Sequence, residues 1–345
     1  YQENYDSGLK DLKKLVDNFF DNEGFPLNRN PGDLVKFSKY LILIKECIKD
    51  SQEYVPDFLE EMIEKNLNCL KSIVTPKNEM PLFNGSTEIN LDEYLNYIDG
   101  LKYKYKKNKT KVGGLQILKD KKNIIFFDVS QPPSKKFSSD YQSGPLSFEY
   151  FYDGEKIITN CGFGRQISKK ATLLSRLTSA QSTLTINDTS VVKFERSKSL
   201  NKAFGNSIQN DFKTFDINYV DEELEIKSSS THDAYETNFG YLHKRKIKID
   251  KKSGALFGLD KLITSRNANH IDYHLRFHLY PGINAVRTMA GNSILIQVAK
   301  NKSLVFKSNG ENLSVEKSIF LGRNKILNNL CVTISGSVLN SDKNI

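Results

Sequence analysis

The chain has 345 residues, of which 38% are hydrophobic and 26% charged, and it carries a formal net charge of +9. That length is enough for about two domains with a sizeable core, and no apolar run approaches the ~18 residues a membrane-spanning helix needs. The basicity points to an anionic partner, but 41 Lys against 9 Arg, spread along the chain, argue against a nucleic-acid surface, which favours Arg forks and stacking aromatics.

Residues 8 to 21 place Leu9, Leu12, Leu15, Val16, Phe19 and Phe20 at helical spacing, and Gly24 and Pro26 stop that helix. Asn30 is the expected N-cap of a second helix with Pro31 at its first position, running through Leu34, Phe37, Leu41, Ile44 and Ile48. Pro56 opens a third helix through Leu59, Ile63, Leu67 and Leu70, and a short fourth is expected around Leu91 to Ile98. The lysine-rich stretch KYKYKKNKT, residues 102–110, reads as a solvated connector between domains at 1–105 and 106–345, the alternative being a dedicated polyanion patch.

Beyond Gly113-Gly114 the period changes from 3.6 to 2. Leu115 to Leu118 and Ile124 to Phe127 predict a hairpin, as do Leu146 to Tyr152 and Ile157-Ile158 around an Asp153-Gly154 turn. Further strands are expected at Leu184 to Ile186, Val191 to Phe194, Leu224 to Ile226, Tyr241 to Ile249, Ala255 to Ile263, Tyr273 to Tyr280, Ser293 to Val298, Leu304 to Lys307 and Cys331 to Ser335. Turn residues separate them as in an antiparallel sandwich. Cys47, Cys69, Cys161 and Cys331 show no metal-ligand spacing, and Cys47 and Cys69 read as small core residues; a disulfide is left open. The first residue is Tyr1 rather than Met, as in a fragment or processed form, and no signal peptide is visible.

Three phrases in the strand-rich half, SGPLSFE, ITNCG and RLTSAQSTLT, resemble the β-sandwich domain of the heparinase II/III-like polysaccharide lyases. There the equivalent phrases read HAGxLSFE, VDxG or VNCG, and RxTAAHSTL. NEGFPLNRNPGDL and MPLFNGS are similar to the last helical repeats of that family, with Arg29, Asn30, Pro31, Phe83, Asn84 and Gly85 retained and Pro26 in place of a His. The resemblance implies an α+β multidomain fold, the end of an α/α toroid followed by an antiparallel β-sandwich. It also implies a bacterial lyase of the periplasm or cell envelope that cleaves an acidic, uronic-acid-containing polysaccharide. The family's Asn-His pair belongs to upstream repeats outside this sequence.

Such a β-elimination must neutralise the substrate carboxylate, remove the adjacent proton and protonate the leaving oxygen. The strand YHLRFHLY places His274, Arg276, His278 and Tyr280 on one face, which is either a set of proton-transfer groups or a plain solvated strand. Family phrases match at Arg276 and His278 (RFHLHPG, with Tyr280 for the second His), at His243 (FGxxHRR) and at His232 and Tyr235 (HDGY). Catalytic roles are expected of His243, His278, Tyr280 and Arg176, and substrate contacts of Asn28, Arg29, Arg276 and Gln142. Arg176 could equally pair with Glu149 or Asp188. The family's zinc-ligand positions fall on Gln142, Asn160 and Gln181, whose neutral amides are poor ligands for zinc. The expectation is no metal or other cofactor, and three amides bonded to one another where the metal would sit. The alternative to a lyase is a non-catalytic glycan-binding or cell-envelope relative that has lost the metal site.

Overall fold

In a computed structural model, four helices precede the strands: α1 (Gln2–Phe19), α2 (Pro31–Asp50), α3 (Asp57–Ile73) and α4 (Asp92–Gly100). The structure describes residues 2–103, 109–197, 199, 201, 205–265, 268–309 and 312–345. Most of the connector at 102–110, with the expected boundary between residues 105 and 106, lies outside them. The start of α2 follows its sequence: the Asn30 side chain accepts from the Gly32 and Asp33 N–H groups, and Pro31 occupies the first turn. Its apolar face buries Leu34, Val35, Leu41, Ile42 and Ile48. Cys47, expected in the core, stands on the opposite, exposed side.

The strands are β1 (Lys111–Val112), β2 (Leu115–Lys119), β3 (Asn123–Asp128), β4 (Phe148–Tyr152), β5 (Glu155–Thr159), β6 (Leu184–Ile186), β7 (Thr214–Asp221), β8 (Glu225–His232), β9 (Tyr241–Asp250) and β10 (Leu256–Thr264). They continue as β11 (His270–Leu279), β12 (Asn284–Arg287), β13 (Ser293–Ala299), β14 (Lys302–Lys307), β15 (Asn312–Phe320), β16 (Leu327–Leu339) and β17 (Lys343–Asn344). One antiparallel sheet has the order β1-β2-β3-β4-β5-β11-β16-β15, with β6 pairing β11. A five-stranded sheet, β17-β10-β9-β8-β7, packs on its inner face, and β12-β13-β14 form a small third sheet. The β4–β5 turn has the positive φ angles at Asp153 and Gly154 that a tight hairpin requires.

Helices cover the outer face of the larger sheet over β1–β5. In β3, Ile124 and Phe126 join the helical core while Ile125 and Phe127 join the sandwich core. Helices, larger sheet and smaller sheet thus form three layers sharing the middle one. Val191 to Phe194 is not a strand but makes an isolated bridge, Phe194 to Ile208. β7, β12 and β15 escaped the sequence reading because their residues alternate weakly. β7, TFDINYVD, is a bulged edge strand with both faces largely exposed.

Candidate functional site

The retained sequence phrases meet at the seam between helices and sandwich. Gly85 Cα approaches Asn30 and Asp140 so closely that an added Cβ would lie 2.9 Å from each, at a φ of 101° that also favours glycine. Gly85 N–H donates to Gln142 Oε1 (3.1 Å), Asn84 Nδ2 to the Arg29 carbonyl (3.1 Å), and Ser86 Oγ to Asn30 Oδ1 (2.7 Å). Phrases more than 50 residues apart in the chain therefore form one joint.

Arg29, expected to bind substrate, is buried in that joint. Its guanidinium holds the Asp128 carboxylate, the Gln131 carbonyl (2.8 Å) and the Gly113 carbonyl (3.2 Å), so it ties helix to sandwich. Burial raises the Asp128 pKa in spite of that partner. Asn28 stays half-buried, donating to Asp33 Oδ2 at 2.6 Å. Close by, Asp140 is engaged by the exposed guanidinium of Arg165, and burial raises its carboxyl pKa. Neither Asp140 nor Arg165 stands out in sequence, since each is an isolated charge in a loop.

The three amides do not bond to one another as expected; each is spent on main chain. Gln142 Nε2 donates to the carbonyls of Ser175 (2.7 Å) and Gly162 (2.9 Å), and Gln181 Nε2 donates to the same Ser175 carbonyl (2.8 Å). Asn160 accepts from Ser182 N–H (3.0 Å) and donates to the Leu82 carbonyl (3.3 Å). The reason is arithmetic: loop carbonyls and N–H groups buried here need partners, and an amide offers both a donor and an acceptor.

Arg176 contacts neither Glu149 nor Asp188, and it is fully buried. Its nitrogens donate to the carbonyls of Asn206 (2.6 Å), Tyr141 (2.8 Å) and Ser138 (2.9 Å), and its guanidinium lies 3.9 Å from the Phe194 ring centre. Burial pushes its pKa down to about 10. A substrate carboxylate cannot reach it.

His243 is likewise buried, between the sheets. Ala234 N–H donates to His232 Nδ1 (3.2 Å), leaving the proton on Nε2, which faces His243 Nδ1 at 3.1 Å; His243 Nε2 then donates to Asp260 Oδ1 at 2.6 Å. Arg245 completes the chain, bonding Asp260 Oδ1 at 2.8 Å and the carbonyls of Leu146 and Ser182. Burial lowers both imidazole pKa values. Burial would raise that of Asp260, but the Arg245 charge and the His243 bond hold it below the usual range. This is a closed core network, in which both ring nitrogens of His243, expected to be catalytic, are engaged by buried neighbours. Tyr235 is buried beside it, its hydroxyl on the Leu184 carbonyl.

β11 presents the alternation its sequence implies. His274, Arg276 and His278 share the face that, further along the sheet, carries Glu149 and meets the helices. Arg276 remains partly open, donating to Thr185 Oγ1 (2.6 Å) and Asp188 Oδ1 (2.8 Å). His274 Nδ1 bonds Ser335 Oγ at 3.0 Å. His278 is buried under the turn at Thr178–Ala180; Nε2 donates to the Ser179 carbonyl (3.0 Å) and Nδ1 accepts from Ser318 Oγ (2.9 Å). Burial pushes its pKa down to about 4, so it is a neutral imidazole on the wall of a cavity of about 360 Å³.

Tyr280 lies apart from that cavity. Its hydroxyl donates to Glu88 Oε1 (2.6 Å) and accepts from Arg323 Nη2 (2.5 Å), while Arg323 Nε donates to Glu88 Oε2 (2.7 Å). Burial and the Glu88 carboxylate both raise the phenol pKa. Glu88 and Arg323 border a second cavity of about 390 Å³ with Lys77, Glu79 and Lys156. Buried Lys156 lies 3.3 Å from Glu149 Oε2. The structure therefore does not gather the expected residues into one constellation. Of them, Tyr280 and Asn28 stay accessible along the seam, joined by Glu88, Arg323, Asp140 and Arg165, which sequence reasoning did not name, while Arg276 stays partly open beside Thr185 and Asp188.

Solved structures share this fold. Superposition on the heparan sulfate lyase HepC from Pedobacter heparinus gives a TM-score of 0.76 at 15% identity, covering 96% of this chain and 53% of that one. The heparinase III BT4657 gene product gives 0.76 at 13% identity, covering 98% and 53%. A further heparinase III gives 0.73 at 13%, covering 98% and 56%. The chain thus spans little more than half the length of these proteins. No curated protein matches it by sequence. Residues 104–344 match the heparinase II/III-like, C-terminal family, and the chain belongs to that family.

The zinc that the family implies does not fit the residues present. Gln142, Asn160 and Gln181 are neutral, and both polar atoms of Gln142 and Asn160 and the Gln181 amide nitrogen are committed to backbone groups. Among the described residues no group of three or more His, Cys, Asp or Glu side chains is placed to hold a metal ion. Nor, among them, is any helix long and apolar enough to cross a membrane.

Proposed function

We propose that the protein is a polysaccharide lyase that cleaves an acidic, uronic-acid-containing polysaccharide by β-elimination in the groove beside the helix–sandwich seam. The observation that carries this reading is the family match over residues 104–344, joined to a seam lined by accessible Tyr, Arg and carboxylate groups. Arg165 or Arg276 would neutralise the substrate carboxylate, and Tyr280 is the accessible group able to give a proton to a leaving oxygen. A substrate of this kind would be met in the periplasm or cell envelope.

The replaced zinc ligands, together with the burial of His243, His278 and Arg176, favour a second reading. In it the protein is a relative that binds glycan without cleaving it. Incubation with a panel of uronate polymers, following the ultraviolet absorbance of the unsaturated product, separates the two. Product from any polymer supports the lyase; measurable binding with no product from any of them supports the binder.

A further inference from the structure

Charge is divided unevenly along this chain. Residues 1–100 hold 11 basic and 19 acidic side chains, whereas residues 101–345 hold 39 and 22. Part of the positive excess is gathered on the outer face of the five-stranded sheet, which looks away from the helices. β9 turns Tyr241, His243, Arg245, Ile247 and Ile249 into the core, so Lys244, Lys246 and Lys248 face outward. Strand register sets Lys227 of β8 beside Lys248, and Lys261 of β10 beside Lys244. With a rise of about 3.3 Å per residue and strands about 4.8 Å apart, the five ammonium groups spring from an area roughly 13 Å by 10 Å.

Apolar surface runs through the same patch. Phe257 and Leu259 of β10, about half exposed, pair with Lys248 and Lys246, and Lys248 Nζ stands 4.8 Å from the Phe257 ring centre. Glu225 pairs with Lys227 and Lys248, and Asp342 with Lys261. Lys244 and Lys246 make no ion pair with any described residue.

We infer that this face is a second docking surface for an acidic polysaccharide, separate from the seam; the class of polymer rests on the lyase reading above. A sheet face with an exposed ring and leucine suits the apolar face of a sugar, and the flanking ammonium groups suit its carboxylates or sulfates. Lysine point charges without Arg forks are less suited to nucleic acid.

Affinity electrophoresis through gels containing alginate, polygalacturonate or heparin tests the inference. Lys244→Glu/Lys246→Glu/Lys248→Glu is compared with Lys10→Glu/Lys36→Glu/Lys39→Glu, an equal charge change on exposed helical positions. The sheet variant is expected to bind about tenfold more weakly at low salt and the helical variant as the parent does. Circular dichroism confirms folding, and a Lys→Gln triple variant guards against effects of the new acids. Equal losses in both variants, no loss in either, or displacement by duplex DNA at lower concentration than by polyuronate overturns the inference. Product formation is read separately: retention without product removes the lyase reading and leaves this one, and product with unchanged retention in the sheet variant does the reverse.

Discussion

His232 and His243 form a direct imidazole–imidazole hydrogen bond, Nε2 to Nδ1 at 3.1 Å, inside the sandwich core. The bond requires His243 to be neutral, because an imidazolium has no acceptor to offer its neighbour, and the Ala234 N–H donating to His232 Nδ1 requires the same of His232. Asp260 and Arg245 beyond it supply compensating charges, so the pair is held neutral by burial and oriented by its neighbours.

Stability should therefore fall with acid. The pKa values of His232, His243 and His278 all lie below the ordinary histidine value in the fold. The unfolded chain thus binds protons the folded chain does not, and their contribution is complete above about pH 6.5 and lost as pH falls toward the folded values. For His278, at about 4, the loss spans about pH 6.5 to 4 and amounts to about 3 kcal/mol. Urea unfolding across that interval checks it: His278→Gln should flatten the slope, and a slope equal to the parent's would refute the assignment.

Two arginines should separate stability from binding. Arg176→Met strips the donors from three carbonyls beside a buried side chain and is expected to cost about 3 kcal/mol or more. Arg276→Ala breaks contacts to Thr185 and a largely exposed Asp188, costs less than about 1 kcal/mol, and weakens binding of a uronate polymer. Denaturant curves with affinity electrophoresis measure both, and the opposite pattern would identify Arg176 as the substrate contact.

Zinc should contribute nothing to this fold. Purified protein is expected to hold far less than one zinc per chain and to keep its Tm in a chelator. Gln142→Ala, by contrast, is expected to cost about 1–3 kcal/mol by leaving the Gly85 N–H and loop carbonyls unpaired. Stoichiometric, tightly held zinc by elemental analysis contradicts this.

Tyr280→Phe removes one hydroxyl from the Glu88–Arg323 pair. It should cost about 1 kcal/mol of stability yet lower product formation about 100-fold or more if the phenol transfers a proton. Undiminished product would make Tyr280 a strut. Glu88→Gln should lower the phenol pKa, seen as tyrosinate absorbance at lower pH, since the carboxylate helps to raise it.

The sequence by itself determined the four N-terminal helices, most strands and the family, because these follow from short-range rules; the short helices Lys169–Ser175 and Glu236–Phe239 were not among them. Asn30-Pro31 caps α2, Asp153-Gly154 turns β4 into β5, and period 2 in YHLRFHLY assigns faces wherever the strand lies. Its limits were at edge strands such as β7, where no buried face imposes alternation. The site was decided by tertiary structure. His243 and Arg176 sit in plausible motifs, but whether a side chain meets solvent depends on what packs over it from distant segments. For His243 that is the facing sheet, with Asp260 one strand away; for Arg176 it is the loops carrying Ser138, Tyr141 and Asn206. The amides at 142, 160 and 181 were recognisable as replaced ligands. That they serve backbone groups, and not one another, followed from buried loop carbonyls and N–H groups that no sequence pattern displays.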